Sequence, residues 1–256
     1  MTMIHLNKES NYKLEQIGGK AFNLQRLIKY GLDVPTTYVV DVSTTKKILN
    51  GEINISYFLD YLPNTLYAVR SSGVNEDGQI HSFAGLFDSY LNVNKMDLEQ
   101  SLKECALSVQ NKRVDSYTKN LSLLSNLNIA IIIQDMIDCQ YSGVCFTADP
   151  IIIDRSTMIF EIGEGLGDKI VSGEISPLTI SVRKNNLSSA VKGYGDYNEF
   201  FAREFQKYLN LLFEKCLLIE KFYKNPVDIE WCISNGQIKI LQTRPITNMQ
   251  RVNAFN

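Results

Sequence analysis

Residues 67–85 read YAVRSSGVNEDGQIHSFAG. An apolar strand pattern ends in Arg70 and two serines, and a loop rich in Gly, Asn, Asp and Glu then leads to Phe-Ala-Gly. A fixed positive charge beside two hydroxyl groups at the end of a strand suggests a functional contact. A surface arginine followed by a solvated loop is the alternative, and this stretch alone leaves both readings open.

Composition limits the classes of protein that the chain can represent. Its 256 residues suffice for one large or two modest cores, with 45% hydrophobic and 21% charged residues. A net charge of −2 gives no general attraction to nucleic acid or anionic membranes. No apolar run is long enough to cross a bilayer, and the N-terminus lacks the apolar segment of a signal peptide. The five cysteines form no C-x-x-C pair, which favours reduced thiols and a cytoplasmic location.

The pattern along the chain predicts a mixture of helices and sheet in two lobes. Helices are expected over residues 18–30 and 199–223, because apolar residues recur there with helical spacing. Strands are expected over the following ranges: 66–71, 87–93, 129–136, 140–149 and 157–162. The chain closes with VDIEWCIS-NG-QIKILQTRP, two alternating runs around Asn-Gly, which is a strong hairpin signal.

The register of this closing hairpin determines whether it carries a site. A plain two-residue turn would pair Glu230 with Leu241 and place Gln242 on the opposite face from Glu230. A bulge, or an odd loop centred on Gly236, would instead bring Glu230, Gln242 and Arg244 onto one surface. Oxygen ligands beside a guanidinium group suit a Mg²⁺–polyphosphate. An ordinary half-exposed hairpin remains an equal alternative.

Other candidate features are weaker. The glycines of GEGLGDKIVSG (163–173) could cradle a phosphate, although glycine loops often only turn the chain. Lys20, near a helix start behind two glycines, could reach a phosphate or be solvated. Gln134 and Met136 could flank a flat ring or simply end a buried strand. His81, a lone loop histidine with no partner at readable spacing, is more simply solvent-facing.

Five blocks in order resemble a known family. They are GGKAFNLQRLIKYGLDVPTTYVV, AVRSSGVNEDGQIHSFAGLFDSYLNV, IIIQDMIDCQYSGVCFTADP, EIGEGLGDKIVSGEISP and DIEWCISNGQIKILQTRPI. Together they resemble the nucleotide-binding domain of the phosphoenolpyruvate synthase and pyruvate phosphate dikinase family, which rifampicin phosphotransferases also carry. The resemblance spans about residues 16–247.

The resemblance implies an α+β, ATP-grasp fold with ATP and Mg²⁺ as cofactors, held between two lobes of mixed or antiparallel sheets with flanking helices. It implies an N-terminal lobe over residues 1–128, a C-terminal lobe with the hinge strand and metal-binding hairpin over 129–248, and a tail over 249–256. By resemblance Lys20, Arg70 and Arg244 act on the phosphates, and Glu230 and Gln242 bind Mg²⁺. The remaining implied nucleotide contacts are Gly85 and Ser89 at the phosphates and Gln134, Met136 and Ile137 at adenine.

The sequence also departs from the family pattern. Family enzymes pass phosphate through a histidine on a mobile domain to an acceptor on a third domain, and neither a T-x-x-H segment nor an acceptor domain is found here. The segment between Val40 and Tyr67 is also shorter than usual. We therefore expect a phosphotransferase component that phosphorylates a histidine on a separate protein, which then serves a small-molecule acceptor. A direct ATP-grasp kinase or ligase acting on a small molecule, and a non-catalytic nucleotide-binding subunit or fragment, are the alternatives; no nucleic acid or membrane partner is expected.

Overall fold

The structure is a computed structural model that describes residues 3–74, 89–116, 128–167, 170 and 173–246. The chain divides into two compact units, Met1–Ile137 and Asp138–Asn256. The predicted α+β class with two lobes is confirmed, and every described strand pair in both sheets is antiparallel. Among the residues described, no helix combines the length and apolar character needed to cross a membrane.

Unit 1 contains a five-stranded sheet in the order β1-β2-β5-β3-β4. Its strands are Met3–His5 (β1), Thr37–Val40 (β2), Tyr67–Gly73 (β3), Ser89–Val93 (β4) and Ile129–Asp135 (β5). Its helices are Leu14–Lys29 (α1), Val42–Leu49 (α2), Ser56–Leu59 (α3) and Leu98–Ser116 (α4). The cap of α2 is the side chain of Asp41, which accepts a hydrogen bond from the Thr44 N–H at 2.7 Å.

The two faces of this sheet differ in what they carry. Tyr67 and Val69 of β3 join alternate residues of β2 and β5 in the main apolar core, which α2, α3 and α4 cover. Because side chains alternate along a strand, Ala68, Arg70 and Ser72 lie on the opposite face. Helix α1 packs against this second face, close to Ser72.

The boundary between the units lies further along the chain than the sequence suggested. We expected residues 129–136 to open the C-terminal lobe. In the structure β5 lies between β2 and β3 in the sheet of unit 1, and the division falls between Ile137 and Asp138. An isoleucine-rich run predicts a buried strand but not the sheet that it joins, because its partners are distant in sequence.

Unit 2 contains a six-stranded sheet in the order β11-β10-β6-β7-β8-β9. The strands are Tyr141–Phe146 (β6), Thr157–Glu164 (β7), Leu178–Arg183 (β8), Ser189–Gly193 (β9), Val227–Ser234 (β10) and Gln237–Pro245 (β11), and Glu199–Tyr223 forms a long helix (α5). The helix predicted over 199–223 is thus confirmed. Its N-cap is Asn198, whose side chain accepts a hydrogen bond from the Phe201 N–H at 3.0 Å.

The core of unit 2 lies between α5 and one face of its sheet. Phe205 of α5 and Trp231 of β10 are fully buried, with ring centroids 5.7 Å apart. Val227, Ile229 and Ile233 share the buried side of β10 with Trp231. The alternate residues of β10 therefore point to the other face of the sheet, which carries the polar side chains considered below.

Candidate functional site

Helix α1 is broken at Gly18, two residues before Lys20. Gly18 has φ 73° and ψ 170°, a conformation that is essentially restricted to glycine. A Cβ atom at this position would overlap the carbonyl oxygen of Ser72 and lie 2.5 Å from its hydroxyl oxygen. The first glycine of the GGK motif therefore permits β3 to approach the helix closely.

Two hydrogen bonds attach the segment after the kink to β3. The Ala21 N–H donates to Ser72 Oγ at 3.1 Å, and Lys20 Nζ donates to the carbonyl oxygen of Ser71 at 3.2 Å. Lys20 is half-buried, whereas Ala21 and Ser72 are fully buried. The lysine ammonium is thus held next to the residue that follows Arg70 in the chain.

Arg70 and Ser89 lie opposite each other on neighbouring strands. Arg70 of β3 pairs with Ser89 of β4 on one side and with Ile132 of β5 on the other. Directly opposed residues share a face of the sheet, so both predicted phosphate contacts point the same way. Arg70 is half-buried and Ser89 exposed, while the predicted contact Gly85 lies outside the described residues.

The predicted adenine-binding residues lie at the end of β5. Gln134 is 3% exposed, and its amide donates to Thr37 Oγ1 at 3.2 Å. Gln134 pairs with Ala68 and so shares the face that carries Arg70. Met136 and Ile137, just beyond the strand, are half-buried. The structure therefore gives Gln134 a structural hydrogen bond, and its proposed contact with adenine stays a prediction.

The closing hairpin combines a two-residue turn with a bulge. Asn235 and Gly236 both have positive φ, at 50° and 73°, as a tight primed turn requires. The register then shifts between Glu230 and Trp231, so that Trp231 pairs with Ile240 and Glu230 pairs with Gln242. Leu241 is the extra residue. Of the two registers predicted, the structure has the one that opposes Glu230 and Gln242.

Four polar side chains consequently share one face of this hairpin. Gln242 Nε2 donates to Glu230 Oε1 at 3.2 Å, and Arg244 Nε donates to Asp228 Oδ2 at 2.6 Å. Asp228 and Gln242 are 7% and 6% exposed, and the side chain of Arg244 is 42% exposed. We call these four residues the polar quartet. Asp228 was not among the predicted site residues, although its spacing of two from Glu230 indicated the shared face.

The donor set of the quartet suits Mg²⁺ better than a softer metal. Mg²⁺ prefers hard oxygen ligands, and it is usually held by one or two protein groups together with water and substrate phosphates. Glu230 supplies a carboxylate. The bond from Gln242 Nε2 orients its amide so that the carbonyl oxygen points away from Glu230 Oε1. The part of the chain that the structure describes holds no group of three or more His, Cys, Asp or Glu side chains that could hold a metal ion.

Glu161 was missed by the sequence reasoning. It pairs with Val144 of β6, and Val144 pairs with Glu230, so Glu161 shares the face of the quartet two strands away. Burial raises the pKa of its carboxyl group. Its carboxyl group has no hydrogen-bond or ion-pair partner among the described residues. An alternating pattern around EIGEG could have indicated its face but not its neighbours.

The sequence also gave no sign of two thiol pairs in unit 2. A hydrogen bond from the Cys232 thiol lowers the pKa of Cys139, and Cys232 lies on β10 beside the quartet. Burial raises the pKa of Cys145, whose thiol is hydrogen-bonded to that of Cys216. Because the members of each pair are distant in sequence, only the fold brings them together.

The glycine-rich loop predicted as a phosphate cradle begins as a fixed turn. Ser142 Oγ donates to the Gly165 carbonyl oxygen at 2.5 Å, and the Glu164 N–H donates to the hydroxyl oxygen of Tyr197 at 3.0 Å. Gly165 has φ 75°. Residues 168–169 and 171–172 of the loop, and His81, lie outside the described residues, so their predicted roles stay predictions.

Comparison with known proteins identifies a family. The family described as "Pyruvate phosphate dikinase, AMP/ATP-binding domain" matches residues 52–207 and 204–255. The chain is 29% identical to "Uncharacterized phosphotransferase YvkC" of Bacillus subtilis, covering 96% of this chain and 35% of that protein. It is 32% identical to "Rifampicin phosphotransferase" of Bacillus cereus, covering 79% of this chain and 26% of that protein. The chain thus spans about a third or less of the length of these relatives.

Among solved structures, the D-alanine–D-alanine ligase of Helicobacter pylori is similar with a TM-score of 0.46 and 13% sequence identity. The alignment covers 92% of this chain and 55% of that one.

Proposed function

The chain belongs to the family of AMP/ATP-binding domains of pyruvate phosphate dikinase, and from this we propose that it is an ATP-grasp module that binds Mg·ATP and transfers a phosphoryl group. The observation that carries the proposal is the bulged register that pairs Glu230 with Gln242 and Asp228 with Arg244 on one face. A plain turn would have separated these side chains. The bulge therefore favours a functional face over an ordinary hairpin.

In this proposal the cationic side chains contact the phosphates. Phosphoryl transfer spreads negative charge over the transferring group, and fixed cations that need no reorganisation stabilise that charge. Lys20 and Arg70 are both fixed to β3, one by its bond to the Ser71 carbonyl and one by its place in the strand. Arg244 is oriented by its short bond to Asp228. A guanidinium group that is oriented by a bond at Nε can present its N–H groups to two phosphate oxygens at once.

Glu230 and Gln242 are proposed to hold Mg²⁺. When bound, the metal would neutralise charge on the phosphate oxygens. The protein's part is to present one carboxylate oxygen and one amide oxygen from opposed positions of two neighbouring strands. Strand positions are more rigid than loop positions, so this pair needs little ordering when the ligand arrives.

We further propose that the phosphoryl acceptor is a histidine on a partner protein, which passes the group to a small molecule. The support for this is the chain's membership of the pyruvate phosphate dikinase AMP/ATP-binding domain family, together with relatives that are named phosphotransferases. Release of AMP and phosphate with a phosphorylated partner would support this chemistry, in which the histidine takes the pyrophosphoryl group of ATP and the outer phosphate of that group is then lost to water. Release of ADP would favour direct transfer to a small molecule.

The first test is thermal unfolding with and without Mg·ATP. A ligand at a hundredfold excess over its Kd stabilises the folded state by about 2.7 kcal/mol, which raises Tm by about 5–10 °C for a chain of this size. We expect this shift in the wild type and its loss in Arg244→Ala. Arg203→Ala is the matched control, since Arg203 lies on α5 with an 82% exposed side chain.

The proposal fails if Mg·ATP shifts neither the wild type nor Arg203→Ala. If Arg244→Ala keeps the full shift in Tm, the nucleotide-binding role proposed for Arg244 and the polar quartet is wrong. A shift with ATP that EDTA leaves unchanged would reject the metal-binding role of Glu230 and Gln242 while retaining the nucleotide site.

A further inference from the structure

We propose that Ser72 is a positioning residue, whose hydroxyl group caps the second segment of α1 from the neighbouring strand and thereby fixes Lys20. The inference rests on the proposed function, because its consequence is measured as ATP affinity. It concerns the second serine of the Arg-Ser-Ser run, to which neither the sequence patterns nor the resemblance assigns a role.

The kink at Gly18 creates the need for a cap. Residues 19–29 form a new helical segment, so its first N–H groups have no acceptors within the helix. In most helices the N-cap residue satisfies one of them through an Asp, Asn, Ser or Thr side chain, which accepts from the N–H two or three positions later. Here the N-cap position is Gly18, which has no side chain. The structure supplies the missing acceptor from β3, where Ser72 Oγ accepts from the Ala21 N–H at 3.1 Å.

The glycine and the serine fit each other. Ser72 lies so close to Gly18 that a Cβ atom there would overlap the Ser72 carbonyl oxygen. A capping side chain at position 18 is therefore excluded by the same contact that brings the serine hydroxyl within reach. Ala21 and Ser72 are both 0% exposed, so water cannot replace the hydroxyl as acceptor without a change in packing.

Lys20 lies between these two fixed points. Its neighbour Ala21 is bonded to Ser72, and its own ammonium group is bonded to the Ser71 carbonyl at 3.2 Å. Both bonds join the start of the helical segment to the strand that carries Arg70. The Ser72 hydroxyl therefore sets where Lys20 can place its charge relative to Arg70, although it need not touch the nucleotide.

Ser71 provides a matched control in the next position. It is equally buried, at 1% exposure, but its side chain points to the opposite face of the sheet, and its hydroxyl has no hydrogen-bond partner among the described residues. Ser71→Ala removes a hydroxyl while keeping the backbone carbonyl that Lys20 contacts. Ser72→Ala removes the cap.

The test is a double-mutant cycle on the affinity for Mg·ATP. Ser72→Ala should weaken binding about tenfold, which corresponds to about 1.4 kcal/mol, and Ser71→Ala should weaken it less than about twofold. In a Lys20→Met background, Ser72→Ala should have almost no further effect, because its role acts through the lysine. Hydrogen exchange at the Ala21 amide should also accelerate in Ser72→Ala, with no nucleotide present.

Three results would overturn the inference. The first is an unchanged ATP affinity in Ser72→Ala, and the second is an equal loss of ATP affinity in the wild-type and Lys20→Met backgrounds. The third is an Ala21 amide in Ser72→Ala that exchanges at the wild-type rate. A wild type that binds no ATP would reject the proposed function instead, while the exchange measurement would still decide whether the cap exists. If Ser72→Ala does not fold, Ser72→Cys replaces it. Its weaker acceptor should give a smaller loss of affinity that again disappears without Lys20.

Discussion

Replacing Gln242 by glutamate tests the geometry of the quartet most directly. In the wild type the Gln242 amide donates to Glu230 Oε1 at 3.2 Å, and Gln242 is 6% exposed. Gln242→Glu puts a second carboxylate where the donor was. Without a metal the two carboxylates repel, and with Mg²⁺ they become a stronger pair of ligands. The variant should therefore be unstable in EDTA and recover when Mg²⁺ is added.

The size of the effect follows from the distance. Two like charges 3.2 Å apart repel by about 5 kcal/mol at an effective dielectric of about 20. Protonating one carboxyl group at pH 7 costs less, about 3.7 kcal/mol, because the usual pKa of glutamate is about 4.3. Glu230 is half-buried, and solvent screening reduces either cost. We expect a loss of about 2–4 kcal/mol, or a fall in Tm of about 5–15 °C.

The assay is thermal unfolding of the wild type, Gln242→Glu and Gln242→Met, each in EDTA and in millimolar MgCl₂. Gln242→Met loses the amide without adding charge, so it separates the lost hydrogen bond from the repulsion. The fall in Tm of Gln242→Glu relative to the wild type should shrink as the pH falls toward about 4, where one carboxyl group is protonated. Equal Tm values for the glutamate and methionine variants in EDTA, or no recovery with Mg²⁺, would refute the reasoning.

Three further predictions concern both units. Burial raises the pKa of Glu161, so its ionisation destabilises the folded state; Glu161→Gln should raise Tm at pH 7, and a gain that does not shrink toward pH 4 would contradict this. Gly18→Ala should lower Tm far more than Gly51→Ala, because both glycines have positive φ but only Gly18 meets Ser72; similar losses would refute the contact. Arg70→Ala should abolish phosphoryl transfer with nearly unchanged Tm, whereas a large fall in Tm would show that Arg70 is structural.

The sequence predicted the elements of the closing hairpin but not their register. Asn235-Gly236 indicated the turn, and the alternation on either side indicated the strands. The face on which Gln242 lies depends on one extra residue, Leu241. The position of a bulge depends on the packing of the whole sheet, and no local propensity records it. The sequence therefore left two registers equally open.

Other features of the site depend on contacts between distant parts of the chain. The GGK motif indicated a helix start, but the kink at Gly18 reflects its contact with Ser72, more than fifty residues away. The sheet that β5 joins, the pairing of Cys139 with Cys232 and the burial of Glu161 have the same origin. The resemblance to a known family predicted candidate site residues. The fold adds the residues that position them.

The bulge also determines which changes in length the hairpin tolerates during evolution. Eleven residues, 231–241, separate Glu230 from Gln242, and with a two-residue turn this odd number lets them oppose each other only because one strand carries a bulge. A two-residue turn with one bulge and a three-residue turn with none both accommodate eleven residues. Relatives that have the same eleven residues but a three-residue turn should therefore lack the bulge. A single-residue insertion or deletion should be tolerated where the turn or the bulge absorbs it, and it should be rare where it shifts the regular pairing of one strand.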